Sequence, residues 1–174
     1  AGEAFRNCAF LTKVSLPDTL VTINYWAFDS CGGLQTIALP ASLRTIGQCA
    51  FAWTNLKNLS IPEGVETIGV EAFSGLGELY TLSLPATLKT IGERAFGDSY
   101  IQTVTFNGDA PAIAEYAFEN VTATCYYPVK NATWTEDVMQ SFGGTVTWVA
   151  YEGELPDEPT DPNVPTSGAC GDNL

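Results

Sequence analysis

Apolar residues recur along this chain at a nearly fixed spacing, with polar residues between them. An Ala-Phe pair occurs six times in one phase, and the phenylalanines of these pairs are Phe5, Phe28, Phe51, Phe73, Phe96 and Phe118. The sequence numbers of successive phenylalanines differ by 23, 23, 22, 23 and 22. Self-similarity with a period in the low twenties predicts a solenoid, in which each period forms one coil that contacts only its neighbours.

Each period contains the same short elements. The stretch 34–39 ends in alternating apolar and polar residues, as expected of a half-buried strand, and Pro40 closes it. A second extended piece is expected at 43–46, and the Ala-Phe segment after it is predicted to form one or two helical turns. Gly47 separates the two, and its equivalents are Gly69, Gly92 and Asn24. Glycine and asparagine both tolerate a positive φ and both serve as helix N-caps, and the sequence leaves these alternatives open.

A single coil should not fold by itself. Burying one aliphatic or aromatic side chain contributes about 1.5–3 kcal/mol, whereas ordering the backbone costs about 1–2 kcal/mol per residue. The few apolar side chains of a coil therefore do not offset the ordering of its whole backbone. Stability is expected to come from the stacking of neighbouring coils.

The repeat resembles a known family. Its pattern, Leu-x-x-Ile-x-Leu-Pro-x-x-Leu-x-x-Ile-Gly-x-x-Ala-Phe-x-x-Cys-x-x-Leu, is nearly complete over 18–40 and continues from residue 1 to about 128. It is similar to the BspA-like leucine-rich repeat of bacterial surface proteins. The sequence departs from the pattern where other residues replace the cysteine, namely Thr54, Leu76, Ser99 and Val121.

The resemblance implies a fold. The expected architecture is a β-rich α/β solenoid, a right-handed leucine-rich-repeat superhelix of about five to six coils with short helical turns, each coil being about 22–23 residues long. Residues 127–129 and 134–140 resemble the strand and short helix that close such arrays, so a C-terminal cap is expected at about 129–151. The solenoid domain would then span 1–151.

The C-terminal region differs in composition from the rest of the chain. The chain has a net charge of −13. Six acidic residues and no basic residue follow residue 151. Residues 152–166 are interpreted as an acidic, proline-rich linker, and 167–174 resemble the start of a further module of such surface proteins. The chain also opens in mid-repeat, so a preceding segment is expected. We predict that other modules of the same chain are among its partners.

Charge and hydropathy argue against two classes of partner. The remaining 14 acidic and 7 basic residues leave the solenoid at about −7, which disfavours nucleic acid and anionic membranes. No apolar run in the sequence approaches the roughly 18–20 residues of a membrane span. We therefore expect neither nucleic-acid binding nor direct membrane insertion.

The sequence offers little catalytic chemistry. It contains no histidine, which argues against Ser-His and Cys-His catalysis and removes the commonest ligand of transition metals. Outward-facing glutamates in different coils are interpreted as a solvated surface rather than as paired catalytic carboxylates. We predict no catalytic residue, cofactor or metal, and we do not expect an enzyme, although an enzyme-accessory module remains an alternative.

The cysteines are interpreted as buried thiols. Cys8 and Cys31 occupy equivalent positions in adjacent coils, so a disulfide between them is geometrically conceivable. A small apolar residue in a stacked interior is the preferred interpretation, and the thiols are then reduced. Cys49 lies two residues before Phe51, a position where it is expected to be exposed.

The polar positions of the predicted strands are the candidate binding site. Repeat proteins commonly bind ligands on a concave strand face. The predicted residues are Gln35, Thr36, Lys57, Asn58, Tyr80, Thr81, Gln102 and Thr103. The alternative is that these polar ladders only solvate the sheet. A second candidate is an outer aromatic set, of which at least half is expected to pack against loops: Tyr25, Trp26, Trp53, Tyr100 and Tyr116.

The resemblance also implies a function and a location. It implies a non-catalytic protein of the bacterial cell surface, extracellular, that mediates adhesion through protein or glycan ligands. Those ligands would lie on a host or on a neighbouring cell. The alternative hypothesis is a passive structural spacer that displays other modules of a larger surface protein.

Overall fold

The computed structural model describes residues 2–153. The expectations for 154–174, which include most of the predicted linker and the start of a further module, lie outside these residues. Within 2–153 the chain forms nine strands and no helix. The strands are β1 (Thr22–Ile23), β2 (Thr45–Ile46), β3 (Thr67–Ile68), β4 (Thr81–Leu84), β5 (Thr90–Ile91), β6 (Thr103–Phe106), β7 (Ala112–Ile113), β8 (Thr122–Pro128) and β9 (Thr145–Tyr151).

Two parallel sheets run along the stack of coils. The first has the order β1-β2-β3-β5-β7, and each coil contributes only two residues to it. The second has the order β4-β6-β8-β9. Before β4 the ladder of the second sheet continues as isolated bridges, Thr36 with Asn58 and Ser60 with Ser83. The predicted solenoid is confirmed, although the strand expected at 34–39 is reduced to a single bridge residue.

A column of phenylalanine rings fills the centre of the coils. Neighbouring rings of the six Ala-Phe pairs stack with centroid separations of 5.3 to 6.0 Å and interplanar angles of 3° to 24°. Phe51, Phe73, Phe96 and Phe118 have no solvent exposure, whereas Phe5, at the N-terminal end of the column, is 38% exposed. Each coil thus supplies one layer of a continuous core, as the periodicity predicts.

The predicted helical turns around the Ala-Phe pairs are wrong. These stretches form successive turns, which we call the turn segments: 25–30, 48–53, 70–75, 93–98 and 115–120. Non-glycine residues with φ between 50° and 59° flank the phenylalanines at two residues before or after them. Those in the complete coils are Trp26, Ser30, Cys49, Trp53, Glu71, Arg94, Asp98 and Asn120.

Backbone hydrogen bonds between coils explain why no helix forms in these segments. In the first complete turn segment, the amides of Trp26 and Phe28 donate to carbonyl oxygens of the next coil at 2.8 Å, and the amide of Ser30 does so at 2.9 Å. A helix requires these amides to donate to carbonyls four residues earlier in the same segment. Because the left-handed residues turn the amides along the axis of the stack, each coil bonds to its neighbour instead. All these donors point towards the C-terminal end.

The glycines before the turn segments have a role that neither sequence interpretation anticipated. Gly47, Gly69 and Gly92 are not among the residues of positive φ, and they start no helix. A Cβ atom at Gly69 would lie 2.7 Å from backbone of the preceding coil, and one at Gly92 would lie 2.5 Å from it. Glycine is therefore required here by the close approach of successive coils.

Aromatic residues close the C-terminal end of the core. The ring centroid of Trp134 lies 4.8 Å from that of Phe106 and 5.5 Å from that of Trp148. Its indole N–H donates to the carbonyl oxygen of Gly108 at 3.0 Å. Phe142 then takes the place of the next phenylalanine, with its centroid 6.5 Å from that of Phe118. Residues 129–151 thus build an additional coil against the last repeat.

The short helix predicted at 134–140 is also absent. Only 136–138 form a turn, although the amide of Met139 reaches the carbonyl oxygen of Thr135 at 3.1 Å. The carbonyl oxygen of Gln140 accepts the indole N–H of Trp148 at 3.0 Å. Side-chain packing onto the core, rather than helix formation, therefore fixes this part of the chain.

Candidate functional site

The predicted binding residues share one surface. We define the strand face as the exposed and half-buried side chains of the second sheet and of the bridges that precede it. Four of the predicted residues belong to these strands and bridges, and the other four each stand one residue before them. Five of the eight are exposed and three are half-buried. The binding role of these residues stays a prediction, but the surface that it requires is present.

Backbone pairing holds the predicted residues at fixed separations. Thr81 is the register partner of Thr103, and an isolated bridge pairs Thr36 with Asn58. The amide of Lys57 donates to the carbonyl oxygen of Gln35 at 3.0 Å, and the amide of Gln102 donates to that of Tyr80 at 2.8 Å. Paired strands lie about 4.8 Å apart, so polar side chains of consecutive coils form regular columns.

The strand face extends beyond the predicted residues into the cap. Thr103 is paired with Thr124, and Thr124 with Thr147. Thr122 is paired with Thr145, and both side chains are exposed. Sequence reasoning missed these residues because the cap departs from the repeat pattern. A usable signal was the recurring Thr-x-Thr at 103–105, 122–124 and 145–147.

Two adjoining depressions lie at the C-terminal end of the strand face. The larger, of about 560 Å³, is lined by Tyr100, Asp98 and Asn120 among others, and the smaller, of about 490 Å³, by Tyr126 and several threonines. Gln102 and Thr122 line both depressions, so the two form one groove. Of the predicted residues, only Gln102 and Thr103 contribute to this groove.

Lys57 is the only basic residue among the predicted eight. Its ammonium nitrogen lies 3.8 Å from a carboxylate oxygen of Glu78, and both side chains are nearly half exposed, at 47% and 46%. An exposed pair of this kind contributes at most about 1 kcal/mol to stability. The ammonium group is therefore free to exchange Glu78 for a ligand.

The cysteines do not contribute chemistry to the strand face. Cys125, between Thr124 and Tyr126 on β8, is fully buried, and this burial raises the pKa of its thiol to about 12. The expectation that Cys49 is exposed is wrong: it is 5% exposed, and burial raises the pKa of its thiol to about 11. Cys8 and Cys31 are free thiols. Burial also raises the pKa of Cys31, so Cys31, Cys49 and Cys125 are thiols rather than nucleophilic thiolates near neutral pH.

Two positions of the cysteine pattern serve the backbone instead. The hydroxyl groups of Thr54 and Ser99 donate to the carbonyl oxygens of Phe51 and Phe96, at 2.9 and 2.6 Å. Both hydroxyls are buried in the turn. These residues satisfy the ends of the turn segments and are not available to a ligand.

The outer aromatic residues combine exposed faces with packing against neighbouring segments. Tyr25, Trp53, Tyr100 and Tyr116 are 49%, 59%, 68% and 42% exposed. Trp26 is half-buried, with the guanidinium carbon of Arg6 at 4.7 Å from its ring centroid. The expectation that at least half of this set packs against loops agrees with the contacts, because the rings of Tyr25 and Trp53 also lie against Gly2 and Gly75 of neighbouring coils.

Two other kinds of site do not occur in the described part of the chain. Residues 2–153 contain no group of three or more histidine, cysteine, aspartate or glutamate side chains placed to hold a metal ion. Within the same residues no helix has the length and apolar character needed to cross a membrane.

Sequence comparison places the repeat in a family. Residues 1–124 match six copies of the family described as "BspA type Leucine rich repeat region". The chain belongs to this family. The resemblance of the repeat pattern is therefore confirmed, and the matched repeats end at residue 124. None of the curated proteins compared with the chain matches it.

Two solved structures of other proteins are similar to this BspA-type chain. A leucine-rich repeat protein from Bacteroides ovatus is 21% identical, with a TM-score of 0.44, over 84% of this chain and 57% of its own. The pneumococcal vaccine antigen PcpA is 20% identical, with a TM-score of 0.54, over 75% of this chain and 40% of its own. The chain thus spans about half the length of these structures, and the likeness to PcpA shows a shared fold.

Proposed function

We propose that this BspA-type chain is a non-catalytic binding module of a bacterial cell-surface protein. In this proposal the strand face holds a protein or glycan ligand, on a host or on a neighbouring cell, and the module contributes to adhesion. The observation that supports the proposal best is the regular polar surface that runs from Thr36 to Thr147 across successive strands. A stack of coils presents such a surface at low conformational cost, because the backbone is already ordered.

The composition of the strand face also favours binding over catalysis. Enzymes place titratable groups in clefts, where burial or a neighbouring charge shifts their pKa. In the described residues the strand face consists mainly of hydroxyl and amide side chains, and its large pKa shift belongs to the buried thiol of Cys125. The extracellular location rests on the family and on the antigen of the same fold, whose description fits an exposed protein.

A binding assay tests the proposal. The 174-residue chain would be passed over immobilised extracellular-matrix proteins and mucin, beside a Lys57→Ala/Tyr80→Ala double variant. These two residues occupy equivalent positions in adjacent coils, and their removal takes a cation and an aromatic ring from the strand face without opening the core. We expect binding by the parent chain and at least a tenfold weaker affinity for the variant, which equals about 1.4 kcal/mol. Absence of binding by the parent chain would contradict the proposal.

The spacer hypothesis is tested by the same molecule in its cellular context. The continuous backbone ladder between coils favours it, since a hydrogen-bonded stack keeps a fixed length. Deleting whole coils in register would shorten the spacer while leaving the remaining surface intact. Attachment of cells that depends on the number of coils, but not on Lys57 or Tyr80, would favour a spacer over a binding module.

A further inference from the structure

The groove at the C-terminal end of the strand face points to one class of ligand. We infer that it binds a short neutral oligosaccharide, with Tyr100 and Gln102 as the principal contacts. The inference rests on the proposed binding function and specifies its ligand. It also places the site at the junction of the last repeats with the cap, away from Lys57 and Tyr80.

The polar groups of the groove match the hydroxyl groups of a sugar ring. Asn120 donates from its side-chain nitrogen to one carboxylate oxygen of Asp98 at 2.8 Å, which fixes the orientation of both groups. The second carboxylate oxygen and the amide oxygen of Asn120 then remain as acceptors, and Gln102 presents both an N–H donor and a C=O acceptor. Adjacent hydroxyls of a sugar donate and accept in pairs, so planar side chains with two polar atoms suit them.

The backbone keeps these polar groups in place before a ligand arrives. Asp98 and Asn120 occupy equivalent left-handed positions of adjacent turn segments, with φ of 55° and 59°. The amide of Asp98 donates to the carbonyl oxygen of Glu119 at 2.9 Å. On the other side of the groove, the threonines lie on the paired strands β6, β8 and β9. Binding therefore requires little additional ordering of the protein.

Aromatic rings lie in both parts of the groove. Tyr100 lines the larger depression and is 68% exposed, and Tyr126 lines the smaller one and is half-buried. The face of an aromatic ring carries a partial negative charge, and it therefore attracts the polarised C–H groups on the flat side of a sugar ring. A solvent-exposed tyrosine between amide and hydroxyl groups suits a ligand with one apolar and one polar side.

The charge and size of the groove disfavour other ligands. Within residues 2–153 its lining contains no lysine or arginine, and its one charged residue is Asp98, so sialylated or sulfated glycans would be repelled. Protein interfaces draw most of their binding energy from tryptophan, tyrosine and arginine in well-packed pockets, and threonine is under-represented there. The three strands span roughly 10 Å at about 4.8 Å per strand, which suits a short oligosaccharide better than a protein surface.

A glycan array with matched variants tests the inference. Weak single-site binding is amplified by avidity, so the biotinylated chain would be presented as a streptavidin tetramer to neutral and sialylated oligosaccharides. The neutral glycan that binds would then be titrated calorimetrically against Tyr100→Ala and Gln102→Ala. The controls are Phe10→Ala and Gln48→Ala, which remove an exposed aromatic ring and an exposed amide from earlier coils. Thermal melts confirm that each variant is folded.

The expected result is binding to neutral glycans, with affinity at least tenfold lower in Tyr100→Ala and in Gln102→Ala and less than twofold lower in the controls. Binding only to sialylated glycans, or neutral-glycan binding that both groove variants retain, would overturn the inference. So would an array without any signal. In that case the chain is still tested against matrix proteins. If it binds them, and the Lys57→Ala/Tyr80→Ala variant binds them with lower affinity, the proposed function stands without the oligosaccharide site. If neither glycans nor matrix proteins bind, both proposals fail.

Discussion

The stacked phenylalanines make a quantitative prediction for the substitution Phe73→Ala. Phe73 is fully buried, and its ring centroid lies 5.5 Å from that of Phe51 and 6.0 Å from that of Phe96. Removing a buried phenylalanine side chain typically costs about 3–5 kcal/mol, depending on how far the surroundings collapse into the cavity. Here the amide of Phe73 bonds to the next coil at 2.8 Å and that of Phe51 to the coil of Phe73 at 2.9 Å. The coils therefore cannot close the gap, and we expect about 4–5 kcal/mol.

Thermal unfolding followed by circular dichroism measures this cost. A change of about 1 kcal/mol shifts Tm by about 2–4 °C for a domain of this size, so Phe73→Ala should lower Tm by roughly 8–20 °C. The matched control is Phe5→Ala, since Phe5 is 38% exposed and stacks on Phe28 alone. We expect less than half the effect there. An unchanged Tm for Phe73→Ala, or an equal loss for Phe5→Ala, would refute the assignment of the ring column as the core.

Three further substitutions or treatments test other parts of the fold. Gly69→Ala should cost about 1–3 kcal/mol in urea unfolding, because the added methyl group would meet the preceding coil at 2.7 Å. Iodoacetamide should modify the exposed Cys8 far faster than Cys125, whose pKa burial raises to about 12, as peptide mass spectrometry can measure. The ion pair with Lys89 lowers the pKa of Glu66 below its usual 4.5, so its contribution is present above that pH and lost as the pH falls through the lower, folded-state pKa. Lys89→Met should therefore lower Tm slightly at neutral pH and leave it unchanged near pH about 2.

Each of these predictions has a control. At Gly77 an added Cβ meets no atom within 4 Å, so Gly77→Ala should be nearly neutral, and an equal cost at both glycines would contradict the close approach. In urea the two cysteines should react at similar rates, and equal rates in the folded chain would contradict burial of Cys125. For the ion pair, a Tm loss that is as large in acid as at neutral pH would show that Lys89 acts through packing rather than charge.

The sequence predicts the repeat well and its local conformation poorly. Six phased phenylalanines determine the coil length and the ring column, because apolar side chains at one phase must meet at the axis. The prediction of helical turns is wrong even though Glu71 and Arg94 have high helix propensity. Both adopt φ above 50°, and the amides of Glu71 and Phe96 donate to the next coil instead. The glycines were misread for a similar reason, since the sequence does not show how closely another coil approaches.

The candidate site was predicted only where its residues are in phase with the repeat. Thr81 and Thr103 occupy repeating positions, so their columns follow from the period. Thr124 and Thr147 belong to strands that pair across the end of the repeats, where the step from Phe118 to Phe142 exceeds the repeat period and no Ala-Phe pair marks the second phenylalanine. Tyr100 was noted for its chemistry, but only the structure places it beside Gln102.

The one-way hydrogen bonds of the turn segments give the stack a polarity. Ala27 accepts a bond from the amide of Phe5, while the amide of Phe28 donates in turn to Ala50. The turn segments of successive coils therefore meet with donors against acceptors. A coil added in the reversed orientation would place like groups opposite each other, so this ladder admits neighbouring coils in one direction only.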